Sequence, residues 1–166
     1  RHIAIDLLSQ AEHDELASSF LITPSERFAN SVLEHIKNEL KTLKREAIAS
    51  ASIENKGAIV IASDMKECIA LMNELAVEHL EIAADNAQEF LNDVKHAGAI
   101  FLGHFTPEAM GDYLAGPNHT LPTGGSARFY SPLGVENFMK RTSLISLNAK
   151  GISELGNACM KLADAE

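Results

Sequence analysis

Two hydrophobic periods alternate along this chain, and their order predicts its fold class before any single residue is weighed. Ile3, Leu7, Leu8 and Ala11 recur at helical spacing and predict a helix over Ile3–Glu12, after which the run Leu16–Ile22 is short and apolar enough for a buried strand. Thr23-Pro24-Ser25-Glu26 reads as a helix start, with Thr23 as N-cap, Pro24 in the first helical position and Glu26 reaching back as a capping box. The helix that follows repeats Phe28, Val32, Ile36 and Leu40 and runs to about Leu43. Gly57–Ala62 is β-branched and apolar on both faces, which predicts a central parallel strand, and Ser63-Asp64 stands in cap position for a helix over Met65–Leu75.

The rhythm continues with a short run Val77–Ile82, a helix near Asn86–Val94, a buried strand Gly98–Leu102, and Thr106-Pro107-Glu108 opening a helix that leads to Asp112. Thr142–Leu147 is expected to form one more short strand, and Ile152–Ala163 a closing amphipathic helix. Strands alternating with helices predict an α/β fold, a mostly parallel sheet flanked by helices.

Composition narrows the class. The 166 residues are 46% hydrophobic and 22% charged, enough for one α/β domain over 1–166 with a real core. The net charge of −9 opposes a nucleic-acid surface, which requires a basic face. No stretch reaches the roughly 18 apolar residues of a membrane span, and no signal peptide is visible at the start. Cys68 and Cys159 are isolated and match neither a redox pair nor a zinc knuckle, so reduced thiols and a cytoplasmic setting are expected. The chain opens at Arg1 without a methionine, so either a short segment was removed or it is a piece of a longer polypeptide.

Chemistry concentrates in a few places. The segment 112–125 joins Asp112 and His119 to Gly116-Pro117 and Pro122-Thr123-Gly124-Gly125, a stiffly routed loop that cannot be regular helix or strand. Glu78-His79 offers two adjacent groups able to move protons at the end of a strand, although such pairs also serve structure. Gln10 and His13 are three apart on a predicted helix and share a face, a spacing that suits one metal ion or an ordinary helix surface. His2, His35, His96 and His104 have no distinguishing context. A glycine-rich dinucleotide fingerprint, a P-loop, a nucleophile elbow and a C-x-x-C pair are all missing, and Gly124-Gly125-Ser126 reads as a structural turn before an anion nest.

Taken together, Glu78-His79-Leu80-Glu81, the segment Asp112 to Thr123, Ala127 to Leu133 and Phe138 to Ser143 resemble histidinol dehydrogenase. Asp6 to His13 and Asn55 to Ile61 extend the resemblance over nearly the whole chain, with the motifs in family order. It implies a zinc-dependent enzyme that oxidises L-histidinol through an aldehyde-level intermediate to L-histidine while reducing NAD, the last steps of histidine biosynthesis. By the same resemblance Gln10, His13 and Asp112 are zinc ligands, Glu78 and His79 transfer protons, and His119 contacts the substrate that these residues together enclose.

Family members are homodimers with a shared active site and run to more than twice this length. The chain therefore resembles a later portion of them, an incomplete Rossmann-like domain of a larger multidomain enzyme. Their remaining zinc ligand, a histidine in the C-terminal tail, has no counterpart here, nor does much of their NAD-binding surface. The isolated chain is expected to be inactive. A relative that oxidises another small alcohol, and a non-catalytic module of the same fold, are the alternative readings.

Overall fold

A computed structural model describes residues 1–166, which divide into two compact units, Arg1–Leu133 and Gly134–Glu166. The first unit opens with helix α1 (His2–Ala11), whose Ala4, Leu8 and Ala11 are buried at the spacing an amphipathic helix requires. Strand β1 (Phe20–Thr23) follows, and helices α2 (Glu26–Leu40) and α3 (Glu46–Lys56) carry the chain to strand β2 (Ala58–Ile61). The two strands pair in parallel, from Phe20 opposite Ala58 to Thr23 opposite Ile61.

The start of α2 differs from the sequence reading. Ser25 is the N-cap: its hydroxyl accepts from the Phe28 N–H at 3.2 Å, and its carbonyl accepts the first helical bond, from Ala29 N–H, at 2.9 Å. Thr23 is excluded because its carbonyl already accepts from Ala62 N–H at 3.0 Å as β1 ends, and an N-cap must give that oxygen to the helix. Helix α3 has no forecast in the sequence pattern. Its buried positions are the small residues Ala49 and Ser52, which leave little apolar periodicity to read, and Ser52 is held by donating its hydroxyl proton to the Ala17 carbonyl at 2.9 Å.

Strand β2 corrects a second expectation. It pairs on one side only, and Ile59, Val60 and Ile61 are 37%, 36% and 48% exposed, so the predicted central strand is an edge strand in this chain. Apolarity on both faces states what a strand would bury; its neighbours decide whether it does.

Helix α4 (Met65–Leu75) matches the forecast to the residue, with the Asp64 carboxylate accepting from Glu67 N–H at 2.9 Å. Strand β3 (His79–Ile82) pairs in parallel with β4 (Ala99–Leu102), from His79 opposite Ala99 to Ile82 opposite Leu102. Between them a 3₁₀ segment, Ala87–Asp93, replaces the predicted α-helix, and the Asn73 side chain fixes its exit by donating to the Asp93 carbonyl and accepting from Lys95 N–H. Helix α5 (Glu108–Tyr113) opens after Pro107 as the sequence predicts. The observed class is thus the expected α/β arrangement of parallel strands flanked by helices, with the strands in two separate pairs.

Two cores hold the first unit. One gathers Ala4, Leu8, Leu21, Ala29, Val32 and Ile36; the other gathers Ile69, Met72, Leu80, Ile82 and Ala87. An open cleft of about 600 Å³ is lined by α1, β1, α4 and β3 and by Thr123–Gly125.

The second unit contains a 3₁₀ turn, Val135–Phe138, and helix α6 (Ala149–Ala165), capped by the Asn148 side chain accepting from Gly151 N–H at 2.9 Å. That cap starts the helix ahead of the predicted Ile152. Thr142–Leu147 forms no strand: it has no pairing partner, and Leu144 and Ile145 are exposed. A strand exists only with a neighbour to satisfy its backbone.

Candidate active site

The site is built on the pleat of β3. Leu80 and Ile82 join the second core, so the alternate residues His79 and Glu81 face the other way, toward the acids of α5, and the whole strand borders the cleft. Glu78, just before the strand, lines the cleft as well. The His79 side chain is only 14% exposed, lies 5.9 Å from the Phe101 ring, and has both ring nitrogens buried without a hydrogen-bond partner. A buried imidazole with two uncommitted nitrogens is costly as pure structure.

Two acids from α5 approach it. Asp112 Oδ1 lies 3.4 Å and Glu108 Oε1 3.9 Å from His79 Nε2, and one ligand-type atom from each of these three residues falls within 4.8 Å of the others. Asp112 and Glu108 are one helical turn apart, so both carboxylates project from the same side of α5. Glu108 is 5% exposed and anchored twice: Ser9 donates its hydroxyl proton to Glu108 Oε2 at 3.0 Å, and the Glu108 N–H donates to Glu81 Oε1 at 3.1 Å.

Crowded acids in a partly dry place bind their protons more tightly than free ones do. Burial pushes the Glu78 carboxyl up, nearby His79 and His13 pull it back, and Asp112 adds to the rise. Glu81 is pushed up to about 7 by burial first and then by the charge of Asp6. Burial also raises Asp6 and Glu108, the latter against the hydrogen bond from Ser9.

The residues singled out from sequence are distributed unevenly around this centre. Gln10 lines the cleft from α1 together with Glu78 and His79, and Asp112 stands against His79. His13 is not on the helix, as the spacing predicted, because α1 ends at Ala11. It sits in the following turn, its N–H donating to the Gln10 carbonyl at 3.3 Å, exposed yet close enough to act on Glu78. His119 is exposed on its loop and is not among the residues that line the cleft.

Gly124 and Gly125 do reach the cleft, at φ 59° and 81°, a backbone region that favours glycine. Arg128 ties that turn to α4 by donating to the carbonyls of Gly125 and Glu74.

Sequence reasoning passed over Asp6, Ser9, Glu81 and Glu108. A signal existed for the acids: Asp6 precedes Gln10 by four positions, Glu108 precedes Asp112 by four, and Glu81 follows His79 by two, the intervals that stack side chains on a helix face or a strand face.

Known proteins resemble this chain along its whole length. The sequence model of the family described as histidinol dehydrogenase matches residues 1–166. A histidinol dehydrogenase of Sulfurimonas denitrificans is 62% identical over 165 residues and one of Wolinella succinogenes 57% identical over 164, each match covering 99% of this chain and 38% of the relative. The crystal structure of histidinol dehydrogenase from Elizabethkingia anophelis superposes with a TM-score of 0.92 at 38% identity, over 99% of this chain and 38% of that one. The chain thus spans well under half the length of the relatives it matches. Since the likeness holds in sequence and in backbone from one end of the chain to the other, this chain belongs to the histidinol dehydrogenase family.

Proposed function

We propose that these 166 residues are a portion of a larger multidomain enzyme that oxidises L-histidinol to L-histidine with zinc and NAD, and that they supply most of its metal-holding and proton-transferring groups. The observation that carries this reading is the His79 imidazole, buried, without a hydrogen-bond partner and set against Asp112 beside a cleft. Zinc-type donors stand at this place: one ligand-type atom each from His79, Glu108 and Asp112 lies within 4.8 Å of the others, and Asp112 is one of the three ligands that the family resemblance implies. Gln10, His13 and Asp112 would hold the ion. When bound, zinc would supply a Lewis acid and an anchor for the substrate's nitrogens, and NAD would accept hydride.

The chain's own residues then divide the proton work. His79 takes the proton of the substrate alcohol, for which it needs a free ring nitrogen within reach of that oxygen. Glu78, whose raised proton affinity makes it a stronger base than an ordinary carboxylate, draws a proton from the water that adds to the aldehyde. His119 contacts substrate on this reading, which requires its exposed loop to turn toward the cleft.

Family resemblance supports a homodimer with a shared site and a cytoplasmic location. No helix is long and apolar enough to cross a membrane.

Histidinol-dependent NADH formation by the full-length enzyme, abolished by a chelator and restored by zinc, is the expected result; turnover indifferent to chelation would sink the zinc assignment. Glu78→Gln should slow aldehyde oxidation roughly tenfold more than alcohol oxidation, and equal losses would end the division of labour.

A further inference from the structure

Glu108 joins the three elements α1, β3 and α5, next to Gln10, His79 and Asp112. Its carboxylate accepts from Ser9, the neighbour of Gln10 on α1. Its backbone N–H donates to Glu81, two residues beyond His79 on β3. Its own helix α5 carries Asp112 one turn later. The residues joined by the Ser9 bond are 99 positions apart, so it is a tertiary tie and not a local turn.

The alternative is that Glu108 simply fills space. A carboxylate is a poor choice for that, because a glutamate 5% exposed pays for desolvation that an apolar residue of similar volume avoids. The cost is accounted for if the carboxylate is needed where it stands. We propose that Glu108 is a positioning residue, a clamp whose hydrogen bonds set the separation of α1, β3 and α5 and so hold Gln10, His13 and Asp112 at one metal-binding distance. This rests on the ligand assignment made above. Oε2 ties α1 to α5 through Ser9, while the N–H bond to Glu81 seats the start of α5 on β3. Loss of the side chain removes the direct tie between α1 and α5 and leaves the β3 link in place.

The test uses the full-length enzyme and reads zinc affinity by competition with a chelating dye, alongside kcat and KM. Glu108→Ala should weaken zinc binding about 10- to 100-fold, the usual effect of losing an outer partner of a metal site. Ser9→Ala should weaken it several-fold, roughly, by the same logic, and the double variant should be no weaker than Glu108→Ala alone, because one bond is lost once. Glu108→Gln keeps an oxygen for the Ser9 hydroxyl and should stay within about threefold of wild type in zinc affinity and in KM.

Zinc affinity unchanged in Glu108→Ala overturns the clamp, and so does Glu108→Gln binding as weakly as Glu108→Ala, which would make Glu108 a ligand or a charge partner instead. Should Glu108→Ala fail to fold, Ser9→Ala and Glu108→Gln decide, and wild-type affinity in Ser9→Ala is then the overturning result. A wild-type enzyme that binds zinc without oxidising histidinol removes the proposed reaction and leaves the clamp standing, since its readout is affinity. A wild-type enzyme that binds no zinc removes both.

Discussion

The two strand pairs share one topology and one length but do opposite things. In both, four residues pair in parallel with four others across a helical connection. Phe20–Thr23 and Ala58–Ile61 contain a single polar residue, Thr23, and only the first of the two strands borders the cleft, as a mostly apolar wall. His79–Ile82 alternates, so that Leu80 and Ile82 complete a core while His79 and Glu81 turn a charged wall to the acids of α5. Backbone arrangement therefore does not locate the chemistry. A two-residue period imposed on one strand does, because the pleat converts it into a polar face backed by an anchored apolar one.

The largest expected effect breaks the charged wall. In the full-length enzyme His79→Asn should cut kcat by roughly 10²- to 10⁴-fold, the range for losing a general base, with little change in melting temperature because the ring nitrogens give up no hydrogen bond. Activity within a fewfold of wild type would erase the functional difference between the walls.

Next comes anchoring. In urea unfolding of this chain, Leu80→Ala should cost about 2–5 kcal/mol and Ile61→Ala under about 1 kcal/mol, since Leu80 is 8% exposed and Ile61 48%. Equal costs would mean that β2 is buried in solution.

A smaller effect sharpens the electrostatic contrast. Glu81 is raised from 4.5 to about 7 in the folded chain, so its contribution to stability is fully present below 4.5 and is lost as pH rises through 7. Discounted for the part of the carboxyl that meets water, the loss is about 1–2 kcal/mol. In the metal-free chain, unfolding free energy compared between pH 5 and pH 8 should therefore fall by roughly that much more in wild type than in Glu81→Gln. A difference independent of pH would refute the buried acid.

The smallest test concerns the apolar pair's exit. Ser25→Ala should cost about 1 kcal/mol as a lost N-cap, and Thr23→Val distinctly less, since the Thr23 hydroxyl only accepts a 3.3 Å bond from Ser25 N–H. The reverse order would restore the cap that the sequence predicts.

Local rules carried the reading a long way. The caps and period of Met65–Leu75 fixed that helix to the residue, short runs in a β-α rhythm marked Val77–Ile82 and Gly98–Leu102, where strands form, and motifs in order pointed to a family. They failed where an outcome depended on a distant partner: the Thr23 carbonyl taken by Ala62, the unpaired edge of β2, and Thr142–Leu147 with no neighbour to make it a strand.

By itself, then, the sequence determined the period, caps and breaks of its elements and the residue types available for chemistry, because those follow from interactions within a few residues. Only the tertiary structure decided that Ser9, Glu81 and Glu108 join the site, that His13 leaves its helix, and that His79 is buried with its nitrogens free. Such contacts span up to 99 positions, and no local energy term specifies which side chains will meet when the chain closes over that distance.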